Sequence, residues 1–411
     1  MTRNLVFLRL TLVIVGVLIG SCGPGIRTTG TSLACPLQEA FSTKEDYQYV
    51  TDKLSIANRI RNDGGGLVYA VGTGTNASDK TRWLIRRGES VGAKWETVDD
   101  YALDNTENSE ANDFHADHKG NQFAVGFGKT AGKEHWIVRR KKVNEEEWST
   151  VDDFVFVAGQ NSRAVAISSD GAGKVYVAGY GSDGTSQTWL VRVTIDEGVN
   201  WSTIDSYQFA ATKNSIPTSL AVDSRRQVYV VGSGVDSSGS ATHWLVRKLI
   251  NEGSSWTIVD DFHANLDHGA NDIVIDSLGT IYVTGYGQIG SEYLGYTRKS
   301  TNQGATWASL DAFDYSDSVA DSTTVFWGLA LDRAGSPYVV GSAEVSGKVH
   351  WIVRSSFLGA GWTTIDDFQQ AGGESSFALG AAFDVAGNFF VSGHGIDQTA
   401  RHWLTRVAGC Q

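Results

Sequence analysis

Apolar and polar residues alternate over short segments throughout residues 41–411, and turn residues separate these segments. In the stretch 163–207, the segments RAVAIS, KVYVAG, WLVRVT and WSTIDSY show this alternation, and DGAG and DEGVN lie between some of them. A period of two bounded by Gly, Asp and Asn predicts β-strands joined by tight turns. Because no segment in this part shows a sustained helical period, and the chain has 47 Gly and only 4 Pro, we expect an all-β protein.

Two signatures repeat along this part of the chain with a period of 51 to 56 residues. One has the form Tyr-Val-x-Gly-x-Gly and occurs in seven variants, from VYAVGTG to FFVSGHG. The other is Trp-x-x-Arg, which occurs in six of the seven repeats. In the fifth repeat a degenerate GYTR ending at Arg298 takes its place. Self-similarity at such spacing is typical of repeat folds. The intact copies begin at Trp83, Trp136, Trp189, Trp244, Trp351 and Trp403.

Each repeat contains four predicted strands, and radial stacking of such units protects their edge strands. We therefore predict a seven-bladed β-propeller of four-stranded blades over residues 41–411. The last unit lacks its fourth strand after the motif at Trp403. The segment FSTKEDY at 41–47 aligns with WSTVDDF, the fourth strand of another unit, at 148–154. We predict that 41–47 pairs with 403–407, completes the last blade and closes the ring.

The N-terminal segment 1–21 carries two arginines before an apolar run that ends at small residues, as in a secretory signal peptide. It continues into Cys22, and IGSC resembles the lipobox of bacterial lipoproteins, in which this Cys is lipidated. The resemblance implies that 1–21 is removed and that 22–40 holds the lipidated Cys and a tether; the alternative is an ordinary signal with a chance Cys. Gly23 implies the outer membrane of the bacterial cell envelope, with the lipid as the membrane anchor.

The chain is acidic, with a formal net charge of −12. Phosphate backbones repel such a surface, so we expect no nucleic-acid partner. When Cys22 is lipidated, Cys35 and Cys410 remain, and both lie next to the break in the predicted ring. In an oxidising compartment we expect them to form a disulfide. We expect a monomer.

The turns STNQGATW at 300–307 and TIDEGVNW at 194–201 resemble the Asp-box of sialidases and other propellers of the bacterial neuraminidase (BNR) type. The stretch AVDSRRQVYVVG at 221–232 is similar to the propeller repeats called SBBP. These resemblances imply the propeller fold but no activity, because Asp-boxes also occur in propellers that are not enzymes. A sialidase is expected to have an Arg triad and a Tyr–Glu pair, whereas the arginines here recur in every unit. We find no catalytic set and expect a protein that is not an enzyme.

Residues that break the repeat are the best candidates for ligand binding, because packing residues are copied between units. Trp327 lies outside the repeated Trp positions, at the start of an innermost strand, where it could form a stacking platform or simply plug the channel. Asn and Asp at corresponding strand starts could bind sugar hydroxyls, a cation or water, and aromatic residues follow the second-strand Gly in four units. The candidate set is Trp327, Phe127, Tyr180, Tyr286, His394, Asn112, Asp113, Asn271 and Asp272.

Repeated and paired residues are interpreted as structural. The repeated Trp residues are expected in the core, and the repeated Arg residues are expected to contact the aromatic and acidic residues across their own hairpin. Four histidines, His115, His118, His263 and His268, are expected in matching loops of two units that are not neighbours. This separation argues against a shared metal site, so we expect no metal and no other cofactor.

These patterns together predict an exported, lipid-anchored recognition propeller. The expected partner is a glycan or an envelope protein, bound on the face formed by the loops that lead into the innermost strands. Two alternatives remain open at this point: a glycoside hydrolase of the sialidase type and a scaffold for envelope assembly.

Overall fold

The structure is a computed structural model that describes residues 37, 40–89, 94–250, 255–263, 266–315, 322–359, 361–370 and 373–410. The predicted signal peptide 1–21, the lipidated Cys22, most of the tether 22–40 and Cys35 lie outside the described residues. Cys410 is disulfide-bonded, while its predicted pairing with Cys35 stays a prediction. Within the part of the chain that is described, no helix is long and apolar enough to cross a membrane.

The described residues form 28 strands and one short 3-10 helix at Phe357–Gly359. The first strand along the chain, β1 at Ser42–Tyr47, belongs to the last group of strands. Groups 1 to 3 are four-stranded antiparallel sheets. Their strands are β2 Ser55–Asn62, β3 Leu67–Thr75, β4 Thr81–Glu89 and β5 Trp95–Tyr101; β6 Ser109–Ala116, β7 Gln122–Thr130, β8 Lys133–Lys141 and β9 Ser149–Phe154; β10 Ser162–Ser169, β11 Val175–Ser182, β12 Gln187–Thr194 and β13 Ser202–Tyr207.

Groups 4 to 7 repeat the pattern, except that groups 5 and 6 form one eight-stranded sheet. A single parallel bridge between Tyr293 and Thr323 joins these two groups, so the structure has six sheets. The strands are β14 Ser215–Val222, β15 Val228–Val235, β16 Thr242–Ile250 and β17 Ser255–Phe262; β18 His268–Ile275, β19 Ile281–Ile289, β20 Glu292–Ser300 and β21 Ala308–Phe313; β22 Thr323–Leu331, β23 Pro337–Val345, β24 Lys348–Ser355 and β25 Thr363–Phe368; β26 Ser376–Phe383, β27 Phe389–Ile396 and β28 Arg401–Ala408 with β1.

The innermost strand of each group packs against the innermost strands of the groups before and after it, and β26 also packs against β2. The N-terminal strand β1 pairs antiparallel with β28, with Tyr47 opposite Trp403. We call the end at which the innermost strands begin the loop end. The turns that resemble Asp-boxes lie at the other end, where Asp196 accepts hydrogen bonds from the backbone and side-chain nitrogens of Asn200.

The six Trp residues of the Trp-x-x-Arg motif are fully buried, and each packs its ring against a second-strand Gly of the next group. A Cβ atom on any of these glycines would lie 2.5 to 2.9 Å from the Cζ3 atom of the ring, so only Gly permits this approach. Sequence repetition of Trp and Gly therefore reflects one packing contact between neighbouring groups. The contacting pairs are Trp403 with Gly72, Trp83 with Gly126, Trp136 with Gly179, Trp189 with Gly232, Trp244 with Gly285, and Trp351 with Gly393. The repeated Trp residues at the fourth strand are mostly only half-buried, so the expectation of core positions does not hold for them.

The acidic and aromatic partners of the repeated Arg residues lie in the preceding group, so the prediction that they lie in the same hairpin is wrong. Six of these Arg residues also donate a hydrogen bond to a Thr or Ser hydroxyl on the fourth strand of their own group. Each guanidinium pairs with a buried or mostly buried carboxylate and stacks over an aromatic ring at 3.6 to 4.1 Å, both from the fourth strand of the preceding group. Such contacts join neighbouring sheets through their outer strands. The pairs are Arg86 with Glu45, Arg139 with Asp99, Arg192 with Asp152, Arg247 with Asp205, Arg298 with Asp260, Arg354 with Asp311, and Arg406 with Asp366.

Candidate functional site

A cavity of about 330 Å³ lies at the loop end, where all seven innermost strands meet. Every innermost strand has a register shift at the same place, and the bulged residue between the shifted pairs lines this cavity. A β-bulge redirects a side chain that regular pairing would place in the sheet. The bulged residues are Asn58, Asn112, Val165, Thr218, Asn271, Trp327 and Leu379.

The polar bulged residues tie neighbouring innermost strands together. Each donates a hydrogen bond to the carbonyl that precedes the bulged residue of the next group, at 2.7 to 2.9 Å. These side chains therefore hold neighbouring innermost strands together and also line the cavity. The donors and acceptors are Asn58 with Ala111, Asn112 with Ala164, Thr218 with Ala270, and Asn271 with Phe326.

The side chain of Arg59 reaches across the cavity between innermost strands. It extends from group 1 to group 5, where its Nη1 atom lies 3.1 Å from the carboxylate of Asp272. The same atom donates to the Trp327 carbonyl at 3.3 Å. Arg61, two residues further along β2, pairs with Asp113 at 3.1 Å. The carboxylates of Asp113 and Asp272 are buried, so they join strands beneath the cavity and are not part of its lining.

One side of the cavity carries an unrepeated cluster of charged residues. Arg163 lines the cavity and donates two hydrogen bonds to the carboxylate of Glu134, at 2.8 and 3.1 Å. The Nη1 atom of Arg163 has no hydrogen-bond partner among the described residues. Glu110 accepts a bond of 2.9 Å from the Asn58 amide. Glu110 and Arg163 hold the same position of neighbouring innermost strands, opposite Phe127 and Tyr180 respectively.

Burial shapes the protonation of this cluster. Desolvation raises the pKa of Glu110, and the repulsion of Glu134 adds to the shift, while Arg163 and the Asn58 amide oppose it. Desolvation also raises the pKa of Tyr180, against the effect of Arg163. The pKa of Arg163 is raised because its bond to Glu134 and other nearby negative groups outweigh desolvation. The cluster therefore places a carboxyl group with a raised pKa beside a cation.

The structure brings some of the predicted ligand-binding residues together. Trp327, Tyr180, Asn112 and Asn271 line the cavity, and the Trp327 indole nitrogen donates to Ser342 Oγ at 3.0 Å. This bond orients the ring toward one side of the cavity mouth.

The remaining predicted aromatic residues do not line the cavity. Phe127 is buried under the Arg163 guanidinium, which lies 4.0 Å above its ring. Tyr286 covers Gly269, at which a Cβ atom would lie 2.6 Å from the Tyr286 ring. His394 is 5% exposed and stacks on Phe377 with ring centroids 4.6 Å apart.

Glu110, Glu134 and Arg163 were not among the residues predicted from the sequence. A signal was present, because the position two residues before the bulge is charged only in groups 2 and 3. The other groups have apolar residues or Gly there: Ile56, Ile216, Gly269, Val325 and Phe377. Comparison of this position across the repeats would have identified the cluster.

The four histidines considered for a shared metal site do not lie in matching loops. His115, near the end of β6, has its Nε2 atom 2.8 Å from Ser169 Oγ, and burial lowers its pKa to about 4. His268 begins β18 and donates from Nδ1 to the Leu266 carbonyl at 3.0 Å. Because these two residues lie at opposite ends of innermost strands, they do not share a site. His263 instead lies beside His243 and Asp261.

No protein-family model matches the sequence, and no curated protein sequence matches it. Solved structures do match, at 10 to 13% identity. An ulvan lyase, a polysaccharide lyase solved with a glycan containing GlcA, matches at 10% identity and a TM-score of 0.53, over 89% of this chain and 96% of that one. The β-propeller domain of the trilobed protease from Pyrococcus furiosus matches at 10% identity and a TM-score of 0.51, over 86% and 95%. A Trypanosoma rangeli sialidase matches at 11% identity and a TM-score of 0.47, over 72% and 54%.

The first two of these matches show that the chain has a β-propeller fold. The prediction that it is not an enzyme is corrected, because a structure that shares this fold is a polysaccharide lyase. That prediction depended on the absence of a catalytic set among the residues singled out in the sequence. The cluster of Glu110, Glu134 and Arg163 is built from residues that the repeat pattern had not selected.

Proposed function

We propose that this protein is a glycan-active enzyme that hydrolyses an acidic glycan at the mouth of its central channel. The observation that carries the proposal is the position of Glu110, a carboxyl group with a raised pKa, next to a cavity lined by Arg163 and Tyr180. The cavity volume of about 330 Å³ falls within the range of ligand pockets.

Glycoside hydrolysis uses two carboxyl groups, one of which is protonated and donates to the leaving oxygen. Glu110 has the environment of that acid, because desolvation raises its pKa. Glu134 supplies the second carboxylate, and the two hydrogen bonds from Arg163 hold it in place. In this proposal Glu110 protonates the glycosidic oxygen as the bond to the leaving sugar breaks, while Glu134 takes a proton from the water molecule that attacks the anomeric carbon.

The charge of the cavity supports an acidic substrate. The described residues that line it include Arg59 and Arg163, whose guanidinium groups pair with Asp272 and Glu134 next to the lining. The unused Nη1 atom of Arg163 can donate to a carboxylate or sulfate group of a sugar, a contact for which guanidinium is well suited. An ulvan lyase of this fold was solved with a glycan that contains GlcA. That likeness shows the fold alone, whereas the arginines of this chain support the substrate class.

The aromatic part of the lining supports a sugar rather than a small anion. Trp327 and Tyr180 are half-buried and lie on the cavity wall. Aromatic rings provide large apolar faces with a polar edge, against which the C–H face of a pyranose can pack.

The test is an incubation of the full chain with polyuronates, sulfated polysaccharides and sialylated oligosaccharides, with neutral glucans as controls. We expect new reducing ends from an acidic glycan and none from the neutral controls. An unsaturated, ultraviolet-absorbing product would instead assign a lyase reaction to the same cavity. Absence of any product from the folded protein across the panel would refute the proposal.

We propose that the seven groups are seven blades and that the pairing of β1 with β28 closes the ring. The support is the continuous packing of innermost strands from β2 through β26 and back to β2. Limited proteolysis tests this closure. If β1 and β28 pair and close the ring, both ends of the folded part are held in one sheet and should resist cleavage. Release of β1 under native conditions would contradict it.

We also propose that the enzyme works in the bacterial cell envelope, anchored by a lipid on Cys22 and working as a monomer. The support is the apolar run before IGSC at 19–22. Metabolic labelling with a radioactive fatty acid should label the wild type and not C22S. Equal labelling of both proteins would refute the anchor.

A further inference from the structure

A cross-strand pair of His and Asp recurs at the loop end of four groups. In each pair the His Nδ1 atom lies 2.6 to 2.7 Å from a carboxylate oxygen of the fourth strand. Because the pair is copied between groups, its ordinary role is structural. The pairs are His135 with Asp153, His243 with Asp261, His350 with Asp367, and His402 with Asp46.

Group 4 differs from the other three groups because a second imidazole joins the pair. His263 follows Asp261 by two residues, at a position where the corresponding groups carry Val155, Gln369 and Gln48. The Nδ1 atoms of His243 and His263 both approach Oδ1 of Asp261, at 2.7 and 3.2 Å. One carboxylate oxygen thus faces two imidazole nitrogens.

The two imidazole rings are stacked, with centroids 3.8 Å apart and an interplanar angle of 28°. The ring of Phe209 packs against the imidazole of His243, with centroids 4.6 Å apart, and restricts its orientation. The possible ligand atoms of His243, Asp261 and His263 all lie within 4.8 Å of one another, and this is the one such group of three among the described residues. His243 is buried, whereas Asp261 and His263 are exposed to solvent.

We propose that His243, Asp261 and His263 bind one zinc-like divalent transition-metal ion. Imidazole nitrogen and carboxylate oxygen are ligands that Zn²⁺ accepts in its sites, and two His with one carboxylate form a three-ligand set that leaves a coordination position for water. A cation also accounts for the second imidazole, which the fold does not require in the other three groups. The site lies on the outer strands β16 and β17 and away from the cavity lining, so it does not depend on the proposed function.

The test is a calorimetric titration of the full, untagged chain with Zn²⁺, repeated with Co²⁺ for its absorption spectrum. We expect one equivalent to bind the wild type, with visible bands for the Co²⁺ form that report imidazole and carboxylate ligation. H263A should weaken binding at least 30-fold. The change is on an exposed residue after the end of β17, so the fold is retained.

H135A is the matched control, because it removes an imidazole from a pair that lacks the second His. It should bind Zn²⁺ as the wild type does. V155H places a second imidazole beside His135 and Asp153, and it should raise the stoichiometry to two equivalents. Equal affinity of the wild type and H263A, or no saturable binding to the wild type, would overturn the proposal.

Discussion

The ring of Phe326 lies over Gly295, in the space that tryptophan fills in the other six copies of the repeat. A Cβ atom at Gly295 would lie 2.8 Å from that ring. Gly295 replaces the Trp of the degenerate fifth copy, and Phe326 replaces an Ala or Pro found at its position in every other group. The aromatic ring has therefore moved from the third strand of group 5 to the innermost strand of group 6. The apparently eroded copy is packed as fully as the others, because Phe326 is completely buried.

This compensation predicts a reciprocal rescue. F326A should lower the free energy of unfolding by about 3 to 5 kcal/mol, because it removes the buried ring that packs over Gly295. G295W alone should also destabilise the protein, through overpacking against Phe326. The double variant G295W/F326A restores the arrangement of the other groups and should recover most of the loss. Urea denaturation of the four proteins measures these differences, and a double variant no more stable than F326A would refute the compensation.

The Arg contacts between groups predict a large cost for removing one partner. In R192M the carboxylate of Asp152 stays buried between two sheets without its guanidinium, and this should cost about 3 to 5 kcal/mol of stability. The double variant R192M/D152N removes the uncompensated charge and should be more stable than R192M. Chemical denaturation provides the measurement. A loss below about 1 kcal/mol in R192M would mean that the pair is screened like a surface salt bridge.

The buried His394 predicts a loss of stability at acidic pH. Burial, with a smaller effect of Arg401, lowers its pKa from 6.5 to about 3, and no described residue forms a hydrogen bond with either ring nitrogen. The unfolded chain therefore takes up a proton at a higher pH than the folded chain does. The stability that His394 contributes is fully present above pH 6.5 and declines as the pH falls toward 3.

H394F places at this position the residue that group 2 carries as Phe127, and it removes the titrating group. Between about pH 7.5 and pH 4 the wild type should lose about 3 kcal/mol more stability than H394F. Denaturation curves of both proteins at the two pH values test this. Parallel losses in the two proteins would show that His394 is protonated in the folded state.

Trp327 and Tyr286 were both predicted from the sequence to bind the ligand, but only Trp327 lines the cavity. We therefore expect substitutions of the two residues to have different effects. W327A should weaken the binding of an acidic oligosaccharide about tenfold or more, because it removes an apolar face on which the sugar packs. Y286A should bind as the wild type does, since Tyr286 covers Gly269 outside the cavity. Calorimetric titration compares the two variants. Equal effects of both substitutions would place the binding surface elsewhere.

Much of the architecture could be predicted from the sequence because it depends on residues that are copied. Buried Trp residues need a Gly opposite them, so the same two residue types recur and reveal both the period and the strands. The partner of each Arg could not be predicted in the same way. The rules for cross-strand pairs apply to strands of one hairpin, whereas these guanidinium groups contact the neighbouring sheet. Because every repeat carries the same residues, the sequence is the same whether an Arg pairs within its own repeat or with the preceding one.

The cavity was harder to predict because its walls come from bulged residues of all the innermost strands. Trp327 was identified because it breaks the Trp pattern. Glu110 and Arg163 were missed because an isolated charged residue at the start of a strand resembles an ordinary exposed position. They form a cluster only with Glu134, which belongs to another strand of group 2, and only because they are partly buried. The repeat pattern shows neither this contact nor the burial.

The role of Glu110 as the acid is tested by comparing kcat/KM of the wild type and of E110Q on the acidic glycan that the substrate panel identifies. E344Q is the matched control, since Glu344 is an exposed carboxylate on the second strand of group 6. The account predicts that E110Q loses at least 100-fold in kcat/KM while it remains folded and still binds the glycan, and that E344Q keeps full activity. Equal turnover by the wild type and E110Q would show that Glu110 is not the acid and would contradict the proposed site.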